Sequence, residues 1–480
     1  MGKTSVTRAL ILCDLGFGDG TKGATTDFLA RSQGFRSIMR YTGGPQARHF
    51  VTTPQGVVHG FAQCCSGMFV PGTSSILSSS MLVDLIALQG EIQTLEKIIG
   101  QPIWERVVLD SSSTLVTPFH AVMGQLMELR RGEKRHGSCG MGVGQSVFER
   151  KAGQELTIQK LFEGDGRRLL VDWQKQMEEL IACTKKDFPH LGEACDASTA
   201  FFHQYLDASY LLGIYGDILQ KAPCRITDTA AYVRELVRDG HDLLLEGAQG
   251  ALLDREQGFF PFVTKTCTTC HEAQRFLNGL DVRVKKMGVL RAYMHRHGAG
   301  PFVTEDAQFA SKMHDRNNAP NPWQGPMRFG HPDLLLWRYG LALNGGVDTL
   351  AISCLDELTG TDSIRLCTSY QYSGKEAPEV LNRFFTWDTC CSTTRITKIR
   401  VVSDLTPDDH AKRTSILVQC RPLEWMKMSG WHQDIRSARQ LEDLPTEARQ
   451  FLDVLEGPKG LHTPISIVSV GPTWEGRMLC

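Results

Sequence analysis

The segment from Ala9 to Asp27 constrains this chain more than any other. It reads Ala9-Leu-Ile-Leu-Cys-Asp-Leu-Gly-Phe-Gly-Asp-Gly-Thr-Lys-Gly-Ala-Thr-Thr-Asp27. A short apolar run leads into a glycine-rich turn holding Asp19 and Lys22, and a helix-compatible stretch follows over about 25–32. Strand, Gly-rich loop and helix in that order is how α/β proteins hold phosphate on backbone N–H groups at a helix N-terminus. The spacing departs from the P-loop, which needs Gly, four residues and then Gly-Lys-Ser/Thr. Gly18, Gly20 and Gly23 fit the dinucleotide fingerprint only with Thr21 and Lys22 as its spacers. A carboxylate and an ammonium inside the turn ask for chemistry or a metal, beyond binding alone.

The rest of the chain narrows the partners. Its 480 residues, 41% of them apolar, can bury a large core. With 52 basic against 53 acidic side chains there is no electrostatic footprint for nucleic acid, so small anions held by local Lys and Arg are expected. No run approaches the roughly 18 apolar residues of a membrane span. The N-terminus lacks the apolar core of a secretory signal, so a cytoplasmic protein is expected. The 15 irregularly spaced cysteines then read as reduced, mostly buried thiols. Cys267-Thr-Thr-Cys270-His271 matches the haem-attachment string, but haem attachment needs export, and a zinc site needs a second pair of ligands.

Strand-like segments at 10–13, 37–41, 243–246, 288–293, 349–354 and 465–470 alternate with helical patterns at 80–99, 172–186, 200–220, 227–238, 332–344 and 444–455. Strands that feed helices predict a large, mostly parallel sheet flanked by helices, with ligands at the carboxyl ends of the strands. No repeat or low-complexity linker divides the chain, so residues 1–480 read as one α/β domain with excursions.

Four further constellations follow the opening loop. Arg40-Tyr-Thr-Gly-Gly-Pro-Gln-Ala-Arg-His-Phe50 presents Gln46, Arg48 and His49 after a strand. A His beside a phosphate loop can act as general acid, although alone it reads more simply as a satisfied structural histidine. Arg135-His-Gly-Ser-Cys-Gly-Met-Gly-Val-Gly-Gln145 exposes backbone donors suited to an oxyanion. Glu246-Gly-Ala-Gln-Gly-Ala-Leu-Leu-Asp254 offers Gln249, which can both donate to and accept from a base edge. Arg291-Ala-Tyr-Met-His-Arg-His-Gly-Ala-Gly-Pro-Phe302 packs cations against another Gly-rich turn.

In this order the motifs resemble the adenylosuccinate synthetase family. The family's Gly-Asp-Glu-Gly-Lys-Gly-Lys is met by Gly18-Asp-Gly-Thr-Lys-Gly-Ala24, and its Gly-Gly-x-Asn-Ala-Gly-His-Thr by Gly43-Gly-Pro-Gln-Ala-Arg-His-Phe50. Glu246-Gly-Ala-Gln-Gly250 is intact, and Pro261-Phe-Val-Thr264, Gly298-Ala-Gly-Pro-Phe302, Gly430-Trp431 and Gly471-Pro472 are close matches. The resemblance covers about 9–365 and 425–480. It implies a P-loop-like, GTPase-related core and a two-step ligase that phosphorylates O6 of a purine monophosphate, IMP above others. The amino group of aspartate then displaces that phosphate to give adenylosuccinate. It also implies Asp19 as base and Mg²⁺ ligand and His49 as acid, with the backbone at Arg48 completing the metal site. Gly18, Lys22, Gly23, Arg48, Phe50, Arg328, Cys354, Asp356, Ser469 and Gly471 would then face the nucleoside triphosphate. Gln46, Cys139, Gln249 and Thr264 would face the monophosphate, and Pro322, Trp323 and Arg328 would form the amino-acid loop. A homodimer is implied as well.

The departures fall on ligand positions. The loop Glu is Gly20, and the family threonine of the 138–145 loop is Cys139, a poorer donor. Phe148–Gln154 offers no match for the basic residue the family's partner subunit supplies, which bears on the 5′-phosphate. Of the family's arginine cluster in Pro322-Trp-Gln-Gly-Pro-Met-Arg328 only Arg328 remains, with His295, Arg296 and His297 as candidate replacements. Ser353-Cys-Leu-Asp356 keeps the Asp that pairs guanine but not the Lys that stacks on it, so GTP is favoured and ATP stays open. An altered purine, such as a guanine nucleotide, another amine donor, or a non-catalytic nucleotide-binding relative are the alternatives. Survival of Asp19 and His49 favours the ligase.

Overall fold

The computed structural model describes residues 6–313, 315, 317–318 and 323–480. Its frame is a ten-stranded sheet built from β1 (Arg8–Asp14), β2 (Ser37–Arg40), β3 (Ser74–Leu77), β4 (Val107–Asp110), β5 (Arg225–Thr227), β6 (Leu243–Glu246), β7 (Arg283–Arg291), β8 (Thr349–Ser353), β9 (Ile465–Ser469) and β10 (Arg477–Leu479). The spatial order is β10-β9-β8-β7-β1-β6-β2-β3-β4-β5. Every pairing is parallel except β9 with β10, which is antiparallel.

β1 lies inside the sheet between β6 and β7, and its side chains divide between two cores. Leu10 and Leu12 join Phe28 and Leu29 of α1 (Lys22–Ser32), while Ile11 and Cys13 join Trp337 and Leu341 of a helix at Leu334–Leu343. Burial on both faces explains why the opening strand is a continuous apolar run and not an alternating one. The chain leaves β1 for β2 on one side and later returns to β7 on the other. This makes the carboxyl end of β1 the switch point where open α/β sheets bind ligands. Asp14, Arg40, Glu246, Arg291, Ser353 and Ser469 all end strands on that rim.

A helical layer beyond β3 and β4 comprises α2 (Pro118–Arg131), α3 (Val143–Lys151), α4 (Asp165–Asp187) and α5 (Ala208–Lys221). Phe119, Leu126, Trp173, Met177, Tyr215 and Ile218 form its core with Leu77 and Leu109. Thr117 accepts the backbone N–H of His120, and Pro118 stands at the first helical position, fixing where α2 begins. A four-stranded antiparallel sheet, in the order Phe385–Cys390, Thr393–Ile399, Ser363–Tyr372 and Cys420–Ser429, packs on the other side of the molecule.

All six expected strands exist, and so do all six helices. Two helices start later than their apolar pattern suggests, and an Asp cap decides each. Asp84 accepts from Ile86 and Ala87, so that helix begins at Leu85 and not at 80. Asp207 caps α5 at Ala208 and not at 200. The strands at β3, β4, β5 and β10 and the whole antiparallel sheet were not anticipated.

Candidate functional site

Asp14 organises the first loop. Its carboxylate is 2% exposed and accepts the N–H groups of Gly16 and Gly20, each at 2.8 Å. It also pairs with Lys22 Nζ at 3.0 Å. Burial alone would raise its pKa, yet the Lys22 ammonium, the His295 ring and these donors hold the pKa below the ordinary value. The Lys22 ammonium donates a second bond, at 2.6 Å, to the carbonyl of Gln249. Sequence reasoning named Lys22 but missed Asp14. The available signal was an acid closing an otherwise apolar strand, where an unpaired charge would be too costly to bury.

Asp19 sits at φ +53, a left-handed conformation that turns it out of the loop. Its backbone carbonyl accepts from Arg291 Nε at 2.9 Å, whereas its carboxylate has no partner among the described residues. Burial raises the carboxyl's pKa, opposed in part by the Arg291, Lys22 and His297 charges. Asp19 is thus a carboxylate of increased basicity with free lone pairs.

His49 approaches the same loop from the strand His49–Thr52. A Cβ on Gly23 would lie 2.7 Å from the His49 Cβ, so only glycine lets α1 start this close to the imidazole. His49 Nδ1 lies 2.5 Å from Glu246 Oε1, and Ser66 donates to the same carboxylate through its N–H at 3.0 Å and its hydroxyl at 2.5 Å. Glu246 is held down at about 2, because the His49, Arg40 and Ser66 contacts outweigh its burial. His49 falls to about 4, driven by burial and by Arg40 against the pull of Glu246. The ligand-free pair is therefore neutral imidazole and carboxylate, with Nδ1–H donated to Glu246. His49 Nε2 is the nitrogen left without a partner.

The Glu246–Gly250 loop closes over the first. A Cβ on Gly250 would meet the Gly18 N at 2.2 Å, and one on Gly43 would meet the Ala248 Cβ at 2.4 Å. This packing draws Gly18, Gly43 and Gln249 together. Gln249, at φ +52, has a buried Nε2 without a partner, and its Oε1 accepts from Thr266 at 3.5 Å. Thr264 and Thr266 share a hydroxyl contact of 3.3 Å. Gln46 Oε1 is also buried and unpartnered. The 136–142 loop carrying Cys139 is held by Glu128, which accepts from His136 and Gly137, and by Gln125, which donates to the Gly140 carbonyl. Trp323 lies against Gly140, where an added Cβ would sit 2.9 Å from the indole. Pro322 lies outside the described residues.

At the far side of the rim, β8 and β9 are neighbours, and they bring Cys354 and Asp356 to Ser469 and Gly471. Asp356 is pushed up to about 6 by burial and by Glu357. Ser469 donates to the Gly471 carbonyl at 3.1 Å, and Arg477 is buried nearby with its Nε unpartnered. Phe50 packs against Gly60 on the paired strand, and a bridge between Thr52 and Thr473 ties this hairpin to the same end.

The adenylosuccinate synthetase family model matches residues 11–478. The chain belongs to this family. Its members are ligases that form a C–N bond, and this chain is one of them. The adenylosuccinate synthetase of Chlorobium chlorochromatii is 27% identical over 476 residues, covering 97% of this chain and 95% of its own. That of Bdellovibrio bacteriovorus is 28% identical, covering 96% and 95%. Among solved structures, the fully ligated adenylosuccinate synthetase of Plasmodium falciparum aligns with a TM-score of 0.76 at 20% identity, covering 98% of this chain and 99% of that one. The succinoaminodeoxyadenylate synthetase of cyanophage S-2L, bound to dGMP and dATP, aligns with a TM-score of 0.56 at 13% identity, covering 99% and 95%. Both show the shared fold.

On the side expected to hold the amino acid, the cations are engaged by the protein itself. Arg328, expected to grip phosphate or carboxylate, is spent on Glu305, with Nε at 2.8 Å and a second contact through its terminal nitrogen. Its remaining donors go to the carbonyls of Gly298 and Gly300. The candidate replacements are engaged as well, although the buried His295 Nδ1 has no partner among the described residues. Arg296 donates to the carbonyls of Ala299, Pro301 and Phe262. His295 Nε2 lies 2.5 Å from the Gly18 carbonyl, and His297 Nε2 lies 3.0 Å from that of Gly325. Sequence reasoning instead passed over Arg291, which joins Asp19 to Asp315 through a 3.0 Å ion pair.

The metal site fits only in part as expected. Among the described residues no group of three His, Cys, Asp or Glu could hold an ion. Asp19 offers one unengaged carboxylate, which suits Mg²⁺ bound mainly through substrate phosphates and water. Arg48 is exposed, and its guanidinium cannot ligate, so only its backbone carbonyl could contribute.

Proposed function

We propose that the chain converts IMP, GTP and aspartate to adenylosuccinate, GDP and phosphate. One observation carries this reading. Among the described residues the Asp19 carboxylate accepts no hydrogen bond and the buried His49 Nε2 has no partner, while Lys22 and Arg291 beside them are already engaged. Asp19 takes the N1 proton of the purine, so that O6 becomes the nucleophile toward the γ-phosphorus and GDP leaves. The neutral His49 of the free chain has a lone pair at Nε2. Negative charge arriving on the phosphoryl group, with Glu246 behind the ring, favours the imidazolium, and Nε2–H then donates to a phosphoryl oxygen. The aspartate amine next attacks C6, and the O6-phosphate departs with the C–O bond. Mg²⁺, when bound, spreads the charge of the transferring group, with Asp19 as its protein ligand.

Gln249 Nε2 and Gln46 Oε1 are the unpaired donor and acceptor available to the purine, and Asp356 is the acceptor available to the guanine of GTP. The same reading takes residues 1–480 as one working unit, a homodimer acting on free nucleotides in the cytoplasm. Phe148, 65% exposed on α3, supports a subunit contact there. The test is phosphate release with Mg²⁺, GTP or ATP, aspartate and a panel of 6-oxopurine monophosphates. Turnover with IMP, GTP and aspartate is expected, and no turnover with any purine would overturn the proposal.

A further inference from the structure

We propose that Asp14 is a positioning residue for phosphoryl transfer, whose carboxylate seats Lys22 and sets the charge of the phosphate loop. This rests on the triphosphate reading of the loop given above. Two loop N–H groups and the Lys22 ammonium converge on Asp14, so an internal anion already fills part of the cradle that such loops offer to phosphate. Gly20 records the same fact. A Cβ there would lie 2.5 Å from Asp14 Oδ2, so the Asp14 carboxylate fills the space of a side chain at position 20.

The arrangement has two consequences. An ammonium has three donors, and Lys22 spends one on Asp14 and one on Gln249, which leaves the third for a phosphate oxygen in a fixed direction. Asp14 and Asp19 together also outweigh the charge of Lys22, so a polyanion meets a loop that is negative overall. Asp14 thus trades affinity for orientation. Its surroundings leave little freedom. The cavity bordered by Asp14, Gly20, Arg291, Tyr293 and His295 measures about 10 Å³, which is room for one water and not for a longer side chain.

Asp14→Asn keeps the shape, removes the charge and turns one acceptor into a donor, facing either the Gly16 N–H or the Gly20 N–H and Lys22. Calorimetry with Mg²⁺ and GTP should show binding tightened about fivefold, because a like charge beside the ligand is gone. Steady-state turnover should fall about tenfold, because Lys22 loses its fixed direction. Asp14→Glu should lower turnover without the gain in affinity, since it keeps the charge and loses the position. A purely structural role would reduce the folded fraction and leave affinity and turnover per folded molecule unchanged.

Thermal melts supply the second measurement. Lys22→Met strands a buried carboxylate and should lower Tm more than the Asp14→Asn, Lys22→Met double variant does. If wild type binds GTP and Asp14→Asn binds it within about twofold of wild type, well short of the tenfold per 1.4 kcal/mol scale, the inference is overturned alone. Additive melting shifts overturn it as well. A wild-type chain that binds neither GTP nor ATP overturns the proposed function and this inference together.

Discussion

The two sides of the site are built on opposite plans. On one side, Asp19 and His49 each present an atom with no partner among the described residues, held from behind by Arg291, Glu246 and Ser66. On the other side, Arg296, Arg328, His295 and His297 each donate to backbone carbonyls or to Glu305. An unpaired buried group is costly to fold and is retained where a ligand completes it, whereas a fully bonded cation already stabilises the fold. On the proposed function, the catalytic pair keeps its place, and recognition of the amine donor would rest on groups other than these four.

The contrast breaks most sharply at Asp19. Asp19→Asn cannot accept the N1 proton, and turnover should fall by about 10³-fold or more, within the range of a lost general base. Tm should change little, because Asn keeps the shape of the side chain. A variant that kept a tenth of wild-type turnover in a phosphate-release assay would remove Asp19 from the chemistry and leave its side of the site no different from the other.

Next in size is Glu246→Gln, which keeps the shape but holds His49 by a neutral partner. A drop in kcat of about 10²-fold is expected, with His49→Ala at least as severe. A loss confined to KM would make the pair a binding device and would blur the contrast.

How much of this was readable in the chain depends on the kind of contact. The strands at 10–13 and 243–246 are continuous apolar runs, buried on both faces, so they announce themselves. The antiparallel sheet does not. Cys420–Ser429 has mostly exposed and half-buried positions, and its charges and its one proline, Pro422, mask the strand pattern. Asp19, His49 and Gln249 were legible because glycines at fixed offsets surround them. Ser66 and Arg291 were not, because each gains its role from a partner far away in sequence, Glu246 for Ser66 and the Asp19 carbonyl for Arg291. The engagement of the cations at 295–297 was hidden for the same reason: sequence counts charges and not the carbonyls that accept from them.

The pH response should differ between the two members of the buried pair. His49 has a folded pKa near 4 against an ordinary 6.5, so between those values the unfolded chain binds the proton and the folded chain does not. The stability this contributes is fully present above pH 6.5 and is lost as pH falls through about 4. Glu246, held near 2 against 4.5, acts in the same direction at lower pH, with its contribution present above 4.5 and lost toward 2. Thermal melts of wild type and His49→Gln from pH 7 to 4.5 should show a shallower fall for the variant. Parallel curves would show that the imidazole titrates normally and that it is not sequestered.

The smallest effect is expected on the other side of the comparison. Arg328→Met removes a guanidinium with four of its five N–H donors engaged by the protein, so the KM for aspartate should change by less than about threefold, far below the roughly 2–5 kcal/mol that truncating one partner of a buried, hydrogen-bonded ion pair costs. The cost should appear in stability. The Arg328 and Glu305 side chains are 23% and 40% exposed, so solvent screening keeps the pair's share near ~0.5–1 kcal/mol, a small drop in Tm. A large rise in the aspartate KM with no change in Tm would show that Arg328 leaves Glu305 when substrate binds. Both sides of the site would then follow one plan, with the resting ion pair a placeholder for the amino-acid carboxylate.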